Sequence, residues 1–186
     1  DEEAFLLTGK DPQDVPEIPE PNNDSWVLRD DGIAVLRDNA SFATLRIQKK
    51  FKHRPSHADL LHTDIFWKGI NIAIDPGTYS YNAPPLRQMP FAKTEFHNTV
   101  TVNDRDQMNR FSRFIWTDWA QTFSSPATGD EPSHKSRLAC THDGYKKHHS
   151  RCLHTREVYS LGDNAWLIHD IIVAKRKNKY RLHWLL

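Results

Sequence analysis

The chain has 186 residues, 38 % of them hydrophobic, enough for one domain with its own core or one domain with a ragged end. A formal charge of +1 gives no electrostatic basis for a dedicated nucleic-acid binder. No apolar run approaches the roughly 20 residues of a membrane span, and no basic start followed by an apolar stretch marks a signal peptide.

The opening DPQDVPEIPEPNND is rich in proline and acids and buries little, so residues 1–25 read as a linker or arm. The character changes at Trp26, and residues 26–186 read as a single domain. WVLRDDGIAVLRD carries two short apolar runs around Asp-Asp-Gly, a hairpin signal, and SFATLRIQ alternates with the period of two of a half-buried strand. DLLHTDIFWKGINIAID repeats the pattern with Lys68-Gly69 at the turn. HNTVTVND places Val100 and Val102 on one face and Thr99 and Thr101 on the other. RFIWTDWAQTF, HTREVYSL, NAWLIHDIIVA and YRLHWLL continue the series, while residues 124–136 read as a surface loop. No helical stripe competes, so the expected fold is all-β, an antiparallel β-sandwich. YRLHWLL breaks off in mid-strand, the expected mark of a fragment truncated at its C-terminus. Cys140 and Cys152 allow either one hairpin disulfide or two free thiols.

Polar residues sit where this pattern expects core. In HADLLHTDIFW, a continuous strand would set His57 and Asp59 on one face with Leu61, Ile65 and Trp67. His57, Asp75 and His97 each fall at a strand end beside a turn, 18 and 22 positions apart. Two imidazoles and a carboxylate with an open fourth position suit zinc. A plainer reading is also open: ordinary hydrogen bonding for His57 and Asp59, a DPGT turn begun by Asp75, and a partly exposed His97. Tyr79 and Tyr81 would point the same way just after that turn. Two phenols near a cation could take and return a proton, as β-elimination requires, or could simply pack. His142, His148, His149 and His154 lie in THDGYKKHHSRCLH, which reads as a solvated basic hairpin because Lys146, Lys147 and Arg151 would repel a metal. No phosphate loop, Gly-x-Gly turn, Cys-x-x-Cys pair or Gly-x-Ser-x-Gly elbow occurs.

Taken in order, GIAVLRD, HADLLHTDIFWKGINIAIDPGTYSYN, FHNTVTVNDRDQ and HTREVYSLGDNAWLIHDII resemble the C-terminal half of the heparinase II/III family of polysaccharide lyases. The most specific parts are His57-Ala-Asp59, Asp75-Pro-Gly-Thr-Tyr79 and His97-Asn-Thr. The resemblance implies an antiparallel β-sandwich that packs against an N-terminal (α/α) toroid, with an acidic polysaccharide in the cleft between them. It implies a structural zinc on His57, Asp75 and His97, with Asp59 as a partner that fixes the His57 imidazole. It also implies cleavage of a uronic-acid polymer, heparan-sulfate-like or alginate-like, by β-elimination, with Tyr79 or Tyr81 approaching the substrate. Family members commonly act in the periplasm or outside the cell.

Two departures bear on activity. The family often has a histidine two positions before the first metal-binding one; here that position is Pro55, and His53 is nearby. The family's carboxylate-neutralising asparagine, a catalytic tyrosine and another histidine belong to the toroid, which this chain lacks. The expectation is a lyase domain inert in isolation. The alternatives are a glycan-binding or scaffolding module that has lost its chemistry, or an unrelated lectin sandwich if the three ligand positions lie apart.

Overall fold

The computed structural model describes residues 26–28, 32–78, 90–123, 136–146 and 150–186. The N-terminal arm, Tyr79, Tyr81, Lys147, His148, His149 and all but the last residue of the 124–136 loop lie outside the described residues.

The first half of the chain forms an antiparallel meander in sequence order: β1 (Trp26–Leu28), β2 (Ile33–Asp38), β3 (Ser41–Arg46), β4 (Thr63–Trp67) and β5 (Ile70–Ala73). Strand β6 (Val100–Val102) follows, then the small hairpin of β7 (Asn109–Ser112) and β8 (Ile115–Thr117). Strands β9 (Thr122–Phe123), β10 (Ser136–His142), β11 (Cys152–Gly162) and β12 (Ala165–Ala174) form a second sheet in the order β12-β11-β10-β9. Strand β13 (Tyr180–Leu182) returns to pair with β6.

Local chemistry sets the tight turns. Lys68 and Gly69 both have positive φ, 48° and 79°, as do Asp163 and Asn164 at 52° and 61°. Left-handed values at both central residues give the type I′ turn, whose twist matches that of the flanking strands. The β4–β5 turn expected at Lys68-Gly69 is therefore present.

The two large sheets bury their facing sides against each other, which is the expected β-sandwich. Leu36, Ala43, Leu45 and Leu61 from the first half meet Leu138, Cys140 and Val158 from the second. A second cluster, including Leu60, Ala92, Met108 and Trp116, lies beneath the β7–β8 hairpin.

Two expectations are corrected and one open alternative is decided. Residues 57–62 are not a strand: β4 begins at Thr63, and Leu61 takes a φ of 60° while its N–H bonds Arg46 O at 2.8 Å. That left-handed residue breaks the alternation that would have put His57 and Asp59 on the face of Ile65 and Trp67. The described part of the 142–154 segment is not a solvated hairpin either, because His142, Tyr145 and His154 are completely buried. Opposed in the β10–β11 register, the two histidines both point inward. Of the two states open to the cysteines, both are free thiols, Cys140 in the main core and Cys152 in a separate cluster with Val102 and Tyr145.

Candidate metal centre

His57, Asp75 and His97 come together although they arrive on three segments, and their ligand atoms all lie within 4.8 Å of one another. His57 sits in the irregular stretch before β4. That stretch is fixed by Ala58 N–H to Ala92 O at 2.9 Å and by Gln107, whose amide accepts from Leu60 N–H and donates to Leu60 O, both at 2.8 Å. Asp75 follows β5 and accepts the Gly77 N–H at 2.7 Å, the expected start of the DPGT turn. His97 closes a short 3-10 turn, Thr94–Phe96, and its N–H bonds Thr94 O at 3.1 Å.

His97 is buried, not the partly exposed residue of the plainer reading. Its Nδ1 is 3.1 Å from Asp75 Oδ2, while its buried Nε2 has no partner among the described residues. Leaving such an atom unpaired costs on the order of 1–3 kcal/mol. A cation bound to that nitrogen would remove the cost. Burial holds the His57 imidazole below its usual value; Asp59 and Asp75 act against this, while His97 and Arg46 reinforce it. Burial also works to raise Asp75, but the hydrogen bond and charge of His97, the Gly77 N–H and His62 outweigh it and hold the carboxyl below its usual range. The result is a neutral imidazole beside an ionised carboxylate, the forms that bind a metal.

His62 was missed by sequence reasoning, although His62-Thr-Asp64 stands in the same stretch. Asn98 N–H donates to His62 Nδ1 at 2.9 Å, which leaves the ring proton on Nε2, 3.1 Å from Asp64 Oδ1 and 3.5 Å from Asp75 Oδ2. His62 thus steadies the carboxylate and is not a fourth ligand. Asp59 does not make the expected bond to the His57 ring; its Oδ2 lies 3.7 Å from Arg46 Nε, and it acts on His57 through space.

Beside the cluster is a pocket of about 500 Å³ whose lining includes the cations Arg46, Lys52 and Arg54 and the carboxylates Asp59 and Asp75, with His53 and His57. Pro55 also lines it. The indole N–H of Trp116 donates at 3.2 Å to the O of Ser56, which lines the pocket. Tyr79 and Tyr81 follow Thr78, whose hydroxyl is 3.4 Å from His57 Nε2, but both tyrosines fall outside the described residues.

A family model described as "Heparinase II/III-like, C-terminal" matches residues 20–186. A heparinase III gene product superposes with a TM-score of 0.65 at 21 % identity, over 88 % of this chain and 24 % of its own. A heparan sulfate lyase HepC mutant from Pedobacter heparinus gives 0.66 at 19 % identity, over 88 % and 24 %. A further heparinase III structure gives 0.62 at 18 %, over 84 % and 23 %. The chain thus spans about a quarter of the length of these structures. No curated protein matches the sequence. Among the described residues, no helix is long and apolar enough to cross a membrane.

Proposed function

The chain belongs to the heparinase II/III-like C-terminal family, and we propose that it is the β-domain of a polysaccharide lyase that cleaves a uronic-acid-containing glycan, heparan-sulfate-like or alginate-like, by β-elimination. The observation that carries this reading is the His57, Asp75 and His97 cluster, with its unpartnered His97 nitrogen, opening beside a basic pocket. In such a reaction a base takes the C5 proton, and its electron pair becomes the C4=C5 double bond as the C4–O bond breaks. The departing oxygen then takes a proton. Arg46, Lys52 and Arg54 would attract the uronate carboxylate. Tyr79 or Tyr81 is the proposed phenol for a proton transfer, and an upstream toroid supplies the remaining groups.

The donor set fits zinc: two imidazoles and a carboxylate, with the second ring nitrogen of His62 aimed at the same carboxylate. Zinc held there would tie the segments after β5 and before β6 to the one carrying His57 and add positive charge beside the pocket. We assign the working compartment to the periplasm or the cell exterior.

Elemental analysis of the purified chain, with His57→Ala and His97→Ala beside it, tests the metal. Near-stoichiometric zinc lost in both variants is expected; a metal-free wild type overturns the assignment. Incubation with heparan sulfate should give no rise in ultraviolet absorbance from the isolated chain, and a rise once the chain is part of a protein with its toroid. Pro55 favours a second reading as a glycan-binding module, since a prolyl ring lining the pocket transfers no proton. Tight binding without cleavage by the toroid-bearing protein would decide for it.

A further inference from the structure

Three ligands on three segments need something other than local structure to set their spacing. Asn98, fully buried, follows His97 directly and bonds the residue before Asp75. Its side-chain N–H2 donates to Thr63 O at 3.0 Å and to Ile74 O at 3.1 Å, so the residue after His62 and the residue before Asp75 hang on one amide. Its Oδ1 accepts Leu185 N–H at 2.7 Å, which uses the remaining side-chain group. Its backbone N–H fixes the His62 tautomer at 2.9 Å, and its chain position places it directly after His97. The next residue, Thr99, reaches the His57 segment through its hydroxyl to Leu60 O at 3.2 Å.

Arg156 stands behind this hub. It is fully buried, and its Nη1 donates to Asn98 O, to Leu61 O at 2.9 Å and to Thr63 Oγ1 at 3.4 Å. Its other edge forms a two-pronged pair with Asp170, Nε to Oδ1 at 2.8 Å and Nη2 to Oδ2 at 2.9 Å. A buried charge held this way is satisfied on every side, so it can act as a rigid strut across the sandwich.

We infer that Asn98, backed by Arg156, is the positioning residue of the cluster: it sets the separation of Asp75 and His97 and holds the His62 ring against the carboxylate. The inference rests in part on the metal reading above. Outer partners of metal ligands are worth about 10- to 100-fold in affinity, and Asn98 controls two ligand segments at once.

The test uses the full 186-residue chain. Asn98→Asp puts an oxygen against the two carbonyls, and Asn98→Ser removes both bonds. Ser41→Ala is the control: Ser41 is equally buried and hydrogen-bonded to Asp38 O, but it pairs with Trp67 at the opposite end of β4 from Thr63. Zinc affinity is read by chelator competition, and the fold by circular dichroism of the chelated protein. Affinity should fall about 10- to 100-fold in both Asn98 variants and stay at the wild-type value in Ser41→Ala. Wild-type affinity in a folded Asn98 variant overturns the inference and leaves the metal reading standing. Should Asn98→Asp fail to fold, Asn98→Ser carries the same comparison. A wild type that binds no zinc overturns the metal reading alone. The nitrogen-15 signals of the His62 and His97 rings in metal-free protein then decide: displacement in Asn98→Ser but not in Ser41→Ala supports positioning, and unmoved signals refute it.

Discussion

Lowering the pH from about 6.5 to about 5.5 should cost the fold up to about 2 kcal/mol through two histidines that never meet solvent. Gly144 N–H donates to His142 Nδ1 at 3.0 Å, so the proton of that ring is on Nε2, which donates to His154 Nδ1 at 3.1 Å. His154 Nε2 in turn donates to Asp170 Oδ1 at 2.7 Å. Every ring nitrogen is used, and neither ring has room for another proton. Burial lowers His142, reinforced by His154 and Arg156 and opposed by Asp170; burial also lowers His154, with Asp170 again opposing. Both folded values lie below the unfolded one. Their stabilising effect is therefore complete above the unfolded value of about 6.5, and it is lost as the pH falls because the unfolded chain takes up the protons. Integrated over that unit of pH, a ring that takes up no proton in the fold loses about 1 kcal/mol relative to the unfolded chain. Urea unfolding in chelating buffer at the two pH values measures it. His142→Gln keeps an acceptor for Gly144 and a donor for His154 but cannot titrate, so it should show a smaller loss. His57 and His183, also lowered by burial, contribute to both proteins and cancel in the comparison. An equal pH slope in the two proteins would refute the reasoning.

Arg156→Met leaves Asp170 with only its His154 bond and takes the donor from the carbonyls of Leu61 and Asn98, and should cost about 3–5 kcal/mol in chemical denaturation; a loss below about 1 kcal/mol would mean that the strut is dispensable. Gly144→Ala would bring a methyl group to 2.8 Å from Gln107 O and 3.0 Å from His142 Nδ1, so thermal melts should show a loss of about 1–3 kcal/mol. Burial pushes both Cys140 and Cys152 up to about 11, so a thiol reagent near neutral pH should label neither until denaturant is added, and then both. Rapid labelling of the native chain would contradict the packing at these sites. Leu45→Ala, in the middle of the sandwich, should lose about 2–5 kcal/mol at unchanged denaturant dependence.

The strands were legible because their signal is local. Turn residues such as Lys68-Gly69 and the alternation of Ser41, Ala43 and Leu45 need no tertiary information to be read. Parity failed where one residue reversed it. Leucine carries no preference for a left-handed backbone, and Leu61 adopts one because the core takes its side chain while Arg46 O takes its N–H. His57, Asp75 and His97 could be named from residue type and motif, but Asn98 and Arg156, which join their segments, could not. Nothing near Asn98 in sequence points to Thr63, Ile74 or Leu185.

Strand β11 shows why the rest was hidden. Its inward residues are Cys152, His154, Arg156, Val158 and Ser160, and its outward ones are Leu153, Thr155, Glu157, Tyr159 and Leu161. A rule that turns the more apolar face inward would choose the wrong side. The native register holds because Asp170, directly opposite Arg156 on β12, neutralises the charge and the carbonyls of Leu61 and Asn98 take its remaining donors. All of those partners are at least 14 residues away in sequence. Periodicity assigns a residue to a face, but the partners that make burial of a charge tolerable are fixed only by the assembled sandwich. The same condition bears on the His57, Asp75 and His97 cluster: it lies where the strut from the second sheet meets the irregular segments beside the first, and there three segments bring their side-chain atoms within 4.8 Å of one another.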